Sequence, residues 1–155
     1  MVVYYSWTGN TKAYAEALAA KKGLPVFELK EKRTRERGKL DFVLAIFQAA
    51  FRKETEVVAI SDISGCSDIF VCTPVWVGSF TPAIRYWLNR VDLTNKKVNF
   101  LFTCAEKNTN SQGFQKIAAD FIKDKDGIAG EVYTFSTEYK KPPDYEKAKE
   151  DIAAL

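Results

Sequence analysis

The sequence predicts a doubly wound α/β sandwich, a parallel sheet with helices on both faces. Three observations carry that reading. Short apolar runs alternate with helix-forming stretches about five times, the order that builds βαβ crossovers. The run at 98–104 is apolar at consecutive positions rather than alternate ones, as in a strand covered on both faces. The 155 residues, 46% of them apolar, suffice for one core, and no repeat or low-complexity linker divides them, so a single domain over 1–155 is expected.

The elements follow in order. Residues 1–5 (MVVYY) are β-rich and apolar on both faces. Residues 11–22 are alanine-rich and favour a helix, with Gly23 placed to end it. A short strand is expected at 25–29 and, after a basic segment, a mostly buried helix at 40–51. The third strand is expected at 68–72. Thr81-Pro82 then opens a helix on which Ile84, Trp87, Leu88 and Val91 repeat at helical spacing. After the fourth strand at 98–104, Phe114, Ile117, Ala118, Phe121 and Ile122 form another helical stripe, ended by Gly127. A last strand is expected at 132–135. Pro142-Pro143-Asp144 starts a final helix running to Ala153, with Tyr145, Ala148 and Ile152 inward.

Composition excludes several functions. There is no histidine, so neither a Ser-His-Asp nor a Cys-His nucleophile can be built, nor an imidazole metal site. No metal ligand set or catalytic side chain is assigned. The three cysteines, Cys66, Cys72 and Cys104, form no CxxC pair and read as reduced thiols of a cytoplasmic protein. Neither Cys72 nor Cys104 has an arginine six positions on, which excludes a phosphatase loop. The apolar run at 40–51 contains Asp41 and Gln48 and is too short to cross a bilayer, and no secretory leader is visible, so no membrane insertion is expected. Net charge is +3, but residues 30–39 hold six basic side chains against two acidic ones, and the rest of the chain has 17 basic and 18 acidic. That distribution does not make a nucleic-acid surface. The basic segment reads as a solvated loop, or alternatively as a docking patch for an acidic partner or anionic substrate.

Open α/β sheets bind ligands beyond the carboxyl ends of their strands, which selects the loops at 6–11, 73–80 and 104–112. The first, Ser6-Trp7-Thr8-Gly9-Asn10-Thr11, places three hydroxyls at the positive end of a helix, where free backbone N–H groups suit a phosphate. It is neither a Walker loop nor a GxGxxG turn, and an ordinary Ser/Thr/Asn helix cap is the alternative reading. In the second loop, Trp76 offers a flat wall and Gly78 a peptide that changes conformation cheaply, although Trp76 could instead be a core residue.

Strand, Ser-x-Thr-Gly-Asn-Thr, helix at the start of the chain resembles the FMN-phosphate loop of the flavodoxins. The stretch Cys72-Thr73-Pro74-Val75-Trp76-Val77-Gly78-Ser79-Phe80-Thr81-Pro82, with its Trp-x-Gly, resembles the flavin-ring loop of the same family. The resemblance covers the whole chain in element order. It implies a flavodoxin-like sheet of five parallel strands in the order 2-1-3-4-5, of the short-chain type, with FMN as the cofactor. Ser6, Trp7, Thr8, Gly9, Asn10 and Thr11 would hold the phosphate, and Pro74, Val75, Trp76, Val77, Gly78 and Ser79 the ring. A peptide beside Gly78 would turn its carbonyl toward flavin N5 on one-electron reduction, stabilising the neutral semiquinone. Cys104, Ala105 and Glu106 would cover the pyrimidine end through backbone groups, although Cys72 and Cys104 themselves read first as small core residues. Flavodoxins commonly place a stacking tyrosine in this third loop. Here no aromatic residue precedes Phe114, which would leave one ring face open.

The function so implied is an FMN-binding redox protein, a monomer or weak homodimer, carrying one or two electrons to a partner protein or small-molecule acceptor. The alternatives are an FMN-dependent NAD(P)H reductase of quinones or similar acceptors, and a flavin-free interaction module.

Overall fold

The computed structural model describes residues 1–33, 35, 36, 38–105, 111–138 and 141–155. Its elements are β1 (Val2–Tyr4), α1 (Asn10–Lys22), β2 (Val26–Glu28), α2 (Lys39–Ala50), β3 (Asp68–Pro74), α3 (Pro82–Leu88), β4 (Lys97–Cys104), α4 (Ser111–Lys123), β5 (Ile128–Ser136) and α5 (Tyr145–Ala153). The sheet is parallel throughout, in the order β2-β1-β3-β4-β5. Each central strand sends alternate side chains to opposite faces. Val3, Val71, Phe100 and Phe102 meet Ile84, Trp87, Ala118 and Ile122 on one face. Val2, Tyr4, Cys72 and Leu101 meet Ala13, Leu18, Ala148 and Ile152 on the other.

Local sequence accounts for the helix ends. Gly9 and Gly23 flank α1 with φ of +97° and +64°, a region that favours glycine. Pro82 opens α3, and Asp144 caps α5 by accepting from the Lys147 N–H.

Four expectations need correction. Helix α2 forms but is not mostly buried: only Ala45 and Ala49 are enclosed, while Leu40, Val43, Phe47 and Phe51 face solvent. Tyr145 is exposed, and of the three residues expected inward on α5 only Ala148 and Ile152 are buried against α1. Strand β5 begins at Ile128, four residues before the expected start. There a register shift between Val98 and Phe100 coincides with buried Asn99, which accepts from the Glu131 N–H at 2.9 Å and donates to the Ile69 carbonyl at 3.3 Å. The basic segment is not uniformly solvated either, since the Arg35 side chain is only 5% exposed and pairs with Glu31. No helix among the described residues is long and apolar enough to cross a membrane.

Candidate functional site

A cavity of about 430 Å³ opens beyond the carboxyl ends of β3 and β4 and beside the start of α1. One end of it is polar. The Gly9 N–H donates to Ser6 Oγ at 3.1 Å, closing the turn that leads into α1. The N-cap residue is Gly9, which has no side chain to cap the helix, so first-turn N–H groups, which have no intrahelical acceptor, are left at this end. Thr8, Asn10 and Thr11 line this end, joined by Thr103 and Thr137. The Thr11 and Thr103 hydroxyls are 2.7 Å apart and bond to each other, so Thr11 is buried and braced against β4. Asn10 Nδ2 donates to the Glu138 carbonyl at 3.4 Å. A Cβ at position 9 would lie 2.5 Å from Pro143 Cγ, so the loop also packs under the stretch that leads into α5.

The other end is apolar. Trp76 and Ser79 exchange backbone hydrogen bonds of 3.1 and 3.0 Å around Val77 (φ +49°) and Gly78 (φ +67°), a two-residue turn of the I′ kind. Arg85 donates to Ser79 Oγ at 2.7 Å and anchors it. The Val75 N–H donates to the Thr103 carbonyl at 2.8 Å, tying the loop to β4. Trp76 meets the rings of Tyr5 and Trp7 edge-on, with centroids 5.8 and 5.5 Å away. Phe42 of α2 lies parallel to Trp7 at 6.4 Å, and Phe42, Ala45 and Ile46 complete the wall.

A buried polar network supports Trp76. The Arg35 guanidinium is 5.4 Å from the Trp76 ring centroid and donates to Glu31 at 2.5 and 2.9 Å and to Gln48 at 2.6 Å. Glu31 also accepts from the hydroxyls of Tyr5 (3.1 Å) and Thr55. Burial works against the Arg35 charge, but the hydrogen bonds and the charge of Glu31 outweigh it and hold the guanidinium protonated. Burial, and then the Glu31 charge, push the Tyr5 hydroxyl far above its ordinary range, so it stays a donor.

Of the expected site residues, Trp7, Thr8, Asn10, Thr11, Pro74, Val75, Trp76, Val77, Cys104 and Ala105 line the cavity. Ser6, Gly9, Gly78 and Ser79 shape its loops from behind, and Glu106 lies outside the described residues. Cys104 is buried, with Sγ 3.6 Å from the Phe135 carbonyl, and burial pushes the Cys72 thiol up so that it stays protonated. Sequence reasoning missed Phe42, Ala45 and Ile46, whose i, i+3, i+4 spacing was a usable signal, and Thr103 and Thr137 at two strand ends. No charged side chain is among the described lining residues, so an anion here would be held by N–H groups and hydroxyls.

Sheet order and crossovers define a flavodoxin-like fold. The chain is similar to a candidate flavoprotein from Bacteroides uniformis, with a TM-score of 0.75 at 16% identity over 99% of this chain and 96% of that one. It is similar to a Lactobacillus acidophilus flavoprotein solved in complex with FMN, with a TM-score of 0.68 at 23% identity over 86% and 90%. Flavodoxin 2 from Bacillus cereus matches with a TM-score of 0.56 at 14% identity over 99% and 94%. No protein-family model and no curated protein matches the chain.

Proposed function

We propose that the cavity binds FMN and that the protein is a flavodoxin-like redox protein carrying electrons between partners. One observation carries this reading: a single cavity joins a helix N-terminus with glycine at its N-cap, set among hydroxyls, to a slot walled by tryptophan. Its volume lies in the range of cofactor sites, and the donors at its polar end match a phosphate monoester better than a pyrophosphate, which would need a glycine-rich turn. The similarity to a flavoprotein solved with FMN supports the choice of cofactor.

Bound FMN supplies one- or two-electron chemistry. The chain's own groups do the rest. First-turn N–H groups of α1 and the Thr8 hydroxyl hold the phosphate. Trp76, fixed from behind by Arg35, forms one wall of the ring slot. The Val77-Gly78 turn presents backbone groups at the ring edge, and Phe42 and Ile46 exclude water.

The apolar lip formed by Phe42, Ile46 and exposed Val77 also favours a second reading, a reductase that admits a flat acceptor to the ring. Rapid reduction by NAD(P)H with steady turnover on a quinone would select it over the carrier.

Titration with FMN and riboflavin tests the cofactor assignment. Thr8→Ala should weaken FMN about 10- to 150-fold, the worth of a hydrogen bond to a charged group, and riboflavin less than about twofold. Failure of the parent protein to take up FMN at micromolar concentration, or equal losses for both ligands, would overturn it.

A further inference from the structure

Leu40, Val43, Phe47 and Phe51, at i, i+3, i+7 and i+11, form one stripe along α2 and are 87%, 63%, 52% and 62% exposed. A helix this apolar is normally covered, and a contiguous exposed patch of this kind marks an interaction surface. Cations stand at both ends of the stripe. Lys39 begins α2, and Arg52 and Lys53 directly follow it; none of the three takes part in an ion pair among the described residues. Lys30, Lys32 and Arg33 are also exposed on the preceding segment, but each is paired with a carboxylate, of Glu28, Glu56 and Asp41 in turn, which leaves Lys39, Arg52 and Lys53 as the cations that bear on the stripe.

The charges discriminate between occupants. If a second copy packed its α2 antiparallel across a two-fold axis, Lys39 of each copy would face Arg52 and Lys53 of the other, like charge against like. Asp41 could not relieve this, because it is 13% exposed and already accepts from Arg33 and the Glu36 N–H. An anionic bilayer surface complements both ends at once and takes the apolar stripe into its acyl boundary. At 12 residues, about 18 Å, α2 can lie in such a surface but cannot span it.

We infer that α2 is an in-plane anchor through which the protein docks on membranes rich in anionic phospholipid. Phe42 and Ile46, which line the cavity, lie roughly 100–150° around α2 from this stripe, so the stripe is a surface distinct from the cavity wall. This inference stands whatever the cavity binds.

Co-sedimentation of the full chain with vesicles of equal phosphatidylglycerol and phosphatidylcholine, against phosphatidylcholine alone, tests it. Binding should be about tenfold or more stronger on the anionic vesicles and should fade as salt rises. Leu40→Ser with Phe47→Ser should lower partitioning about tenfold or more, and so should joint reversal of Lys39, Arg52 and Lys53 to glutamate. Far-UV circular dichroism of these variants should match the parent, since none of the five side chains is buried. Absence of binding to anionic vesicles would overturn the inference. So would variants that bind like the parent, or a concentration-dependent dimer in sedimentation equilibrium that Phe47→Ser abolishes, which would assign the stripe to a second copy. Binding only to an acidic soluble protein, with vesicles ignored, would overturn it as well.

Discussion

Replacing Arg35 by methionine isolates the support beneath Trp76. The guanidinium and the Glu31 carboxylate are each 5% exposed, and three hydrogen bonds from Arg35 disappear with the substitution. Glu31 would stay buried with only the Tyr5 and Thr55 hydroxyls as donors. Removing one partner of a buried ion pair costs about 3–5 kcal/mol. Arg35 Nη1 is itself buried without a partner among the described residues, a penalty the substitution relieves, so the lower end of that range, about 3 kcal/mol, applies. At an m-value of about 2 kcal/mol/M the urea midpoint should fall by about 1.5 M. Unfolding followed by circular dichroism gives the stability, and the near-ultraviolet spectrum reports the Trp76 environment independently. The double variant Glu31→Gln, Arg35→Met removes both charges and should lose about 1 kcal/mol or more less than the sum of the single losses. A single variant within about 0.5 kcal/mol of the parent, an additive double and an unchanged tryptophan spectrum would refute this account of how the wall is held.

Other perturbations follow from local geometry. Gly9→Ala combines a φ of +97° with a Cβ 2.5 Å from the Pro143 ring; it should cost about 2–3 kcal/mol in thermal unfolding, and Pro143→Ala should recover part of the loss. Val77→Asn should raise the melting temperature by about 2 °C, because a β-branched residue at φ +49° is strained where asparagine before glycine suits the turn. For Asp151, burial alone would raise the carboxyl pKa, but hydrogen bonds from Lys147 and Tyr14 overcome it and hold the group below its ordinary value. A depressed carboxylate contributes stability above its unfolded pKa of about 3.9, lost as pH falls through the lower folded value. Asp151→Asn should therefore cost about 0.5–1 kcal/mol at pH 6, and the gap to the parent should close toward pH 2.5 in urea titrations.

Several features of this protein were legible in its sequence because their causes are local. Gly23 at a helix end, Pro82 at a helix start and the continuous apolar run of β4 each act within a few residues, and together they set the element order and a parallel sheet. The same locality made the two main loops readable, since a loop between a strand and the next helix falls at the carboxyl edge whatever its side chains. What lies opposite a side chain is not local. The apolarity of α2 predicted burial, yet whether a neighbour covers that face depends on distant elements, and only Ala45 and Ala49 found cover. Arg35 sits in a run of cations that reads as solvated, and only the fold brings Glu31, Gln48 and Trp76 around it. Phe42 reaches the cavity although it is 31 residues or more from either main loop in sequence, and Asn99, where the β4–β5 register shifts, accepts from the N–H of Glu131, 32 residues away. Local sequence thus placed the two main loops at the carboxyl edge of the sheet, while the tertiary structure decided which side chains enclose the cavity there and which face is left uncovered, because periodicity and capping are properties of short segments and contact is a property of the folded chain.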